Sequence, residues 1–141
     1  MTTPETIPYR PNRVPFVQRW GIRATALLAG LLARRSPQQI HRVLTVVRRG
    51  ARPATLEEVT RVRAAVVAAS LGCAGREACL RRSLTVTLFC RLRGTWATWC
   101  VGPRTVPPFA AHAWVEAEGV PVGENVPEGY FQKLISVGPP R

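Results

Sequence analysis

Aspartate is absent from these 141 residues, histidine occurs only twice, and lysine and methionine occur once each. An acid–base or charge-relay site must therefore draw its carboxylate from eight glutamates and its imidazole from His41 or His112. No Cys-x-x-Cys pair occurs among the cysteines at 73, 79, 90 and 100, which argues against a structural zinc site of the usual spacing. The start of the chain, Met-Thr-Thr-Pro-Glu-Thr-Ile-Pro, lacks a basic segment followed by an apolar core. No secretory signal is expected, and a cytoplasmic protein with reduced thiols is. The longest largely apolar stretch, Ala24 to Ala33, is ten residues bracketed by Arg23 and Arg34, too short to span a bilayer as a helix.

Acidic charge is scarce against 19 arginines, leaving a formal net charge of +12. The excess favours an anionic partner: an acidic peptide or protein, nucleic acid, or a membrane surface. Nothing beyond charge supports specific nucleic-acid binding, because no aromatic stacking platform or known binding motif accompanies it. Length and a hydrophobic share of 46% fit one domain with a real core.

Prolines at 4, 8, 11 and 15 preclude a helix at the start, so residues 1–15 read as an extended arm ahead of one domain over 16–141. Val17, Trp20, Ala24, Leu27, Leu28, Leu31 and Leu32 recur at three- and four-residue steps, predicting an amphipathic helix from Phe16 to Arg35. Ser36-Pro37 starts a second, short helix with Ile40, Val43, Leu44 and Val47 on one face, closed by Gly50. Thr55-Leu56-Glu57-Glu58 is a capping box, and Val59, Val62, Ala65, Val66 and Ala69 form the buried stripe of a third helix.

The stretch Cys79 to Arg93 is ambiguous. Leu84, Val86 and Leu88 alternate with Ser83, Thr85 and Thr87 as in a strand, while Leu80, Leu84, Leu88 and Leu92 fall at helical spacing and Gly94 follows as a stop. A cysteine at a helix N-terminus gains thiolate character from the macrodipole, which favours the helix. Four further segments read as strands: Thr95–Val101, Ala110–Glu118, Val120–Glu124 and Phe131–Val137. The fold class expected is α+β: a helical part over 16–93, ending in the cysteine-bearing helix, packed on a small antiparallel sheet over 95–137.

Cys79, His112 and Glu124 are the residues through which a nucleophile, a base and an acidic orienter can converge. A three-residue loop, Ala117-Glu118-Gly119, pairs Glu116 with Val120, Trp114 with Val122 and His112 with Glu124. Glu116 is then roughly 13 Å from His112 at ~3.3 Å per residue, out of reach. A two-residue Glu118-Gly119 turn places Asn125 opposite His112 instead, and asparagine also orients histidine in cysteine proteases. The backbone N–H of Cys79 is a candidate oxyanion donor. Cys73, Cys90 and Cys100 read as buried small hydrophobes, and a Cys79–Cys90 disulfide is excluded by a helical separation of roughly 16 Å at ~1.5 Å per residue. His41, among Arg42, Arg48 and Arg49, reads as a solvated surface residue. Trp114 reads as core packing on the face of His112, and one of Trp96 and Trp99 as buried with the other free to meet a ligand. Arg76, Arg81 and Arg82 flank Cys79, either as a solvated helix face or as a positive field that lowers its pKa.

Glu-Ala-Cys-Leu-Arg-Arg-Ser-Leu around Cys79, His-Ala-Trp-Val-Glu from His112, and Val-Gly-Glu ending at Glu124 resemble the lasso-peptide leader peptidases, transglutaminase-like cysteine proteases of ribosomal peptide biosynthesis. The resemblance covers roughly Val62 to Val137 and implies a transglutaminase- or papain-like fold with Cys79, His112 and Glu124 as triad. The family often carries aspartate where this chain has glutamate. It also implies removal of the leader from a lasso precursor, typically after a leader with threonine at its penultimate position, without metal or cofactor. The core peptide then passes to a separate ATP-dependent lactam synthetase. A separate leader-recognition protein is implied as partner, since some relatives fuse such a domain upstream and this chain is too short to hold one. Acyl transfer by the same three residues is the alternative chemistry.

Overall fold

The computed structural model describes residues 16–69, 79–107, 110–124 and 129–140. The expected arm over 1–15, Cys73, Arg76 and Asn125 lie outside the described residues.

Among the described residues four helices lead: α1 (Phe16–Leu32), α2 (Pro37–Val47), α3 (Leu56–Ala69) and α4 (Cys79–Leu92). A four-stranded antiparallel sheet of order β5-β4-β3-β6 follows, from β3 (Thr98–Pro103), β4 (Ala111–Ala117), β5 (Val120–Pro121) and β6 (Ile135–Val137). The class is α+β, as the pattern of periodicities predicts. A two-stranded parallel pair, β1 (Arg52–Pro53) with β2 (Thr95–Trp96), ties the α2–α3 connection to the start of the sheet region; β2 falls within the expected strand Thr95–Val101, whereas β1 has no sequence signal of its own. Among the described residues no helix is long and apolar enough to cross a membrane.

Local chemistry explains the helix starts. The Ser36 hydroxyl accepts from the Gln39 N–H at 3.3 Å while Gln39 accepts from the Ser36 N–H at 3.2 Å, with Pro37 at the first helical position. Thr55 and Glu58 make the same reciprocal pair at the head of α3, at 3.1 and 3.2 Å. Each such cap is worth about 1 kcal/mol. Arg52 grips Glu58 through two bonds of 3.0 Å, and these, with the Thr55 contacts, lower the Glu58 carboxyl to about 2. Glu118, at the tip of the β4–β5 turn, accepts from the Leu56 N–H at 2.6 Å, so the hairpin is pinned to the positive end of α3.

Helix α4 is buried along most of its circumference: Ser83, Leu84, Thr85, Val86, Thr87, Phe89 and Cys90 are all inaccessible. That explains its ambiguous sequence. An all-round buried helix has no polar face, so its apolar residues need not follow a helical period. One side of α4 meets α1, α3 and β4 through Ile22, Val62, Val66, Val86 and Val115; the other meets α2 and the sheet through Leu44, Leu84, Trp96 and Trp99. Both tryptophans are buried, which corrects the expectation that one faces a ligand. Ala97 interrupts the strand between them, so strict alternation is lost; Trp96 Nε1 donates to the Val137 carbonyl at 2.9 Å and Trp99 Nε1 to Ser83 Oγ at 3.1 Å.

Candidate active site

Cys79 is the first residue of α4, where unpaired N–H groups give the helix end a positive field. Its thiol is half-buried and lies beside the His112 side chain of β4 and the Ala113 backbone. The His112 contact, with the Ala113 bond and the charge of Arg82, holds the thiol below its ordinary pKa against the opposing effect of burial. His112 moves the other way: its contacts with Cys79 and Glu124 raise it to about 9. A lowered thiol beside a raised imidazole shifts this pair toward its thiolate–imidazolium form.

His112 Nε2 donates to Glu124 Oε1 at 3.0 Å, leaving Nδ1 for the sulfur. Both side chains are largely shielded, the imidazole 20% and the carboxylate 13% exposed, so their attraction is weakly screened. The structure thus brings together the three residues singled out by sequence, though by a different turn from the one expected. The hairpin pairs Ala117 with Val120 and Glu116 with Pro121 through a two-residue turn with positive φ at Glu118 (54°) and Gly119 (78°). Continued, that register would set residue 125 opposite His112. The last pairing contact is the Val122 N–H to the Val115 carbonyl, and Gly123, at φ 73°, then redirects the chain and carries Glu124 to the imidazole.

Gly123 has a second reason to be glycine. A β-carbon there would lie 2.3 Å from the Arg63 guanidinium, which packs against this bend. Arg63, on α3, is held below the usual guanidinium range by burial and by the nearby positive charge of Arg82, while Glu124 acts in the opposite sense. Sequence reasoning missed Arg63. Its only signal was an arginine adjoining the buried stripe of α3, between Val62 and Ala65.

Phe131 was missed too. Its ring stacks on His112 at 4.4 Å between centroids and on Trp114 at 5.2 Å, and Trp114 lies 5.9 Å from His112. These rings fix the imidazole plane, and an imidazolium gains from an aromatic face. Segment 132–134 runs against β3 at Gly102, the cross-strand partner of His112; a β-carbon on Gly102 would sit 1.6 Å from the Gln132 carbonyl oxygen. Glu116 stays off His112, as the spacing requires. It accepts from Trp114 Nε1 at 2.9 Å and from Lys133 at 2.7 Å, anchoring the tryptophan. An open cleft of about 570 Å³ adjoins Glu124, lined by Trp114, Glu116, Tyr130, Phe131 and Lys133.

The other sequence candidates fall elsewhere. Arg81 is not a solvated residue, because its Nε donates to the Ala26 carbonyl at 3.1 Å and ties α4 to α1. His41 is exposed on α2. Cys90 and Cys100 are buried free thiols, each pushed up to about 12 chiefly by burial.

A thiol, an imidazole and a carboxylate grouped in this way supply the parts needed to add sulfur to a carbonyl carbon and protonate a departing amine. A family model of the transglutaminase-like superfamily matches residues 23–136. No curated protein and no solved structure matches the chain.

Proposed function

Because the chain belongs to the transglutaminase-like superfamily, we propose that it is a cysteine peptidase that removes the leader from a lasso-peptide precursor. The observation that carries the catalytic reading is the grouping of Cys79 beside His112, with His112 hydrogen-bonded to Glu124 at 3.0 Å. The substrate class rests on the resemblance of the segments around Cys79, His112 and Glu124 to the lasso-peptide leader peptidases.

In this reading the Cys79 thiolate attacks the scissile carbonyl at the end of the leader, and a C–S bond forms as the carbonyl oxygen takes the electron pair. The Cys79 backbone N–H, at the head of α4, donates to that oxyanion. Collapse breaks the C–N bond while the His112 imidazolium protonates the leaving amine, freeing the core peptide with its new α-amine. The neutral imidazole then takes a proton from water, which attacks the thioester and releases the leader acid with the thiol restored. Glu124 holds the imidazole by Nε2 and stabilises its positive form throughout. A separate leader-recognition protein presents the leader, and the product passes to a lactam synthetase.

Incubating precursor peptide and recognition protein with the chain, then with Cys79→Ala, and weighing the products decides the matter. The expected result is two fragments whose summed mass exceeds the precursor by one water, and no cleavage by the alanine variant. Undiminished cleavage by Cys79→Ala overturns the nucleophile; an acylated amine in place of the leader acid identifies acyl transfer instead of hydrolysis.

A further inference from the structure

Helix α1 has two apolar faces. The one turned inward is small: Ile22, Thr25, Ala26 and Ala29 are its buried residues. The one turned outward carries the large side chains from which the helix was predicted. Val17, Trp20, Leu27, Leu28 and Leu31 are between 55% and 82% exposed, with Val43 and Val46 of α2 uncovered as well. Soluble proteins rarely leave so continuous a patch without a use for it.

Its shape and charge narrow the occupant. Val17, Trp20, Ala24, Leu27 and Leu31 step along the helix by 3, 4, 3 and 4 residues, the spacing of a seam made to meet another helix. The seam is about 21 Å long at ~1.5 Å per residue, and Ala24 leaves a gap between larger neighbours where a side chain from an opposing helix fits. At its C-terminal end a groove of about 800 Å³ opens between α1 and α2, lined by Leu31, Leu32, Arg34, Arg35, Gln39, Arg42 and Val43. A concave groove accepts a protruding side chain, which a lipid surface does not offer.

No acidic residue occurs between Glu5 and Glu57, a span that holds ten arginines. Among the described residues, Arg34, Arg35 and Arg42 are exposed and pair with no carboxylate. Two copies meeting through this face bring like charges together, which opposes self-association. An acidic helix is attracted instead. We propose that the outer face of α1, with the α1–α2 groove, is the docking site for an amphipathic helix of a partner protein that carries glutamate or aspartate beside its apolar seam. The opposite face of α1 receives Arg81, two residues after Cys79, at the Ala26 carbonyl, so the partner is seated one helix away from the candidate nucleophile. The inference does not depend on the peptidase reading, since it stands on the exposed face and its charge.

The test uses the full chain and a fluorescent synthetic helix of about 21 residues, with leucine at 3-4 spacing and glutamate at the flanking positions. A scrambled peptide of the same composition is the control. Expected is binding by the patterned peptide at least tenfold tighter than by the scrambled one, weakening as salt rises. L27E/L31E should weaken it at least tenfold, and R35E/R42E should weaken it and flatten its salt dependence. Thermal unfolding and the rate of Cys79 alkylation, unchanged in both variants, establish that the fold is intact. Equal binding of patterned and scrambled peptides, or indifference to L27E/L31E, overturns the proposal. So does a stable dimer dispersed by L27E/L31E, which makes a second copy the occupant, or binding to vesicles of phosphatidylglycerol and phosphatidylcholine that displaces the peptide.

Discussion

Cys79 and Cys90 lie on the same helix and are chemically identical, yet the structure treats them in opposite ways. Cys79, at the half-buried head of α4, meets an imidazole, a backbone group and arginine charge, and its pKa falls. Cys90, three turns on, is walled in by Val66, Phe89 and their neighbours, and burial pushes it up to about 12. The difference teaches that what a thiol meets, an imidazole and positive charge at one end of a helix or an apolar wall further along it, sets the direction in which its pKa moves.

The sharpest way to break the comparison is to exchange the two roles. Cys79→Ala should abolish cleavage of precursor. Cys90→Ala should leave kcat/KM within a few-fold while lowering stability by about 1–2 kcal/mol in denaturant unfolding, the cost of a small core cavity. If Cys90→Ala were as inactive as Cys79→Ala, the contrast would collapse. Next in size, His112→Ala should slow iodoacetamide labelling of Cys79 at pH 6, since removing the largest cause of the lowered pKa reduces the thiolate fraction. Mass mapping should find Cys90 and Cys100 unlabelled throughout.

The pH profile sharpens the same contrast. A lowered thiol and an imidazole raised to about 9 set the limits of the ion pair. On the acid side, activity falls as pH drops through the Cys79 pKa and the thiolate is protonated. On the alkaline side it falls near pH 9, where His112 loses the proton it must give to the amine. For stability the signs follow: the gain from the raised imidazole is complete below about 6.5 and is lost as pH rises through about 9. A profile of kcat/KM with no alkaline limb below pH 10 contradicts the assignment of His112 as acid.

Glu124→Gln should cost about 10–100-fold in kcat/KM and bring the alkaline limb to lower pH, because an amide keeps the hydrogen bond and loses the charge. The smallest change expected is Gly123→Ala. A β-carbon at φ 73° and 2.3 Å from the Arg63 guanidinium should cost about 1–3 kcal/mol, and the displaced Glu124 should lower kcat/KM modestly. A neutral outcome in unfolding assays means that Arg63 yields and the bend is not held by this contact.

Legibility in the sequence followed the strength of local chemistry. The capped starts of α2 and α3 at Ser36 and Thr55 could be read because their bonds span only three residues. Cys79 and His112 stood out because their residue types are scarce, and Glu124 because a hairpin through Gly119 returns the chain toward His112. The way Glu124 reaches His112 could not, because the three-residue loop expected at Gly119 competes closely with the observed turn. The bend at Gly123 packs against Arg63, sixty residues earlier. Phe131 lay hidden in a segment with little regular structure, and the burial of both Trp96 and Trp99 depended on the interruption at Ala97. In α1 the helix was legible and its orientation was not: periodicity reports that an apolar face exists, without saying what lies against it.

By itself, then, the sequence determined the α+β order of elements, the helix caps and the identity of the three residues able to form a nucleophilic site, since each depends on residue type or near neighbours. Tertiary structure alone decided how those three residues meet, which thiol has its pKa lowered and which raised, and which face of α1 is left uncovered. Those depend on field, burial and contact between segments far apart in the chain.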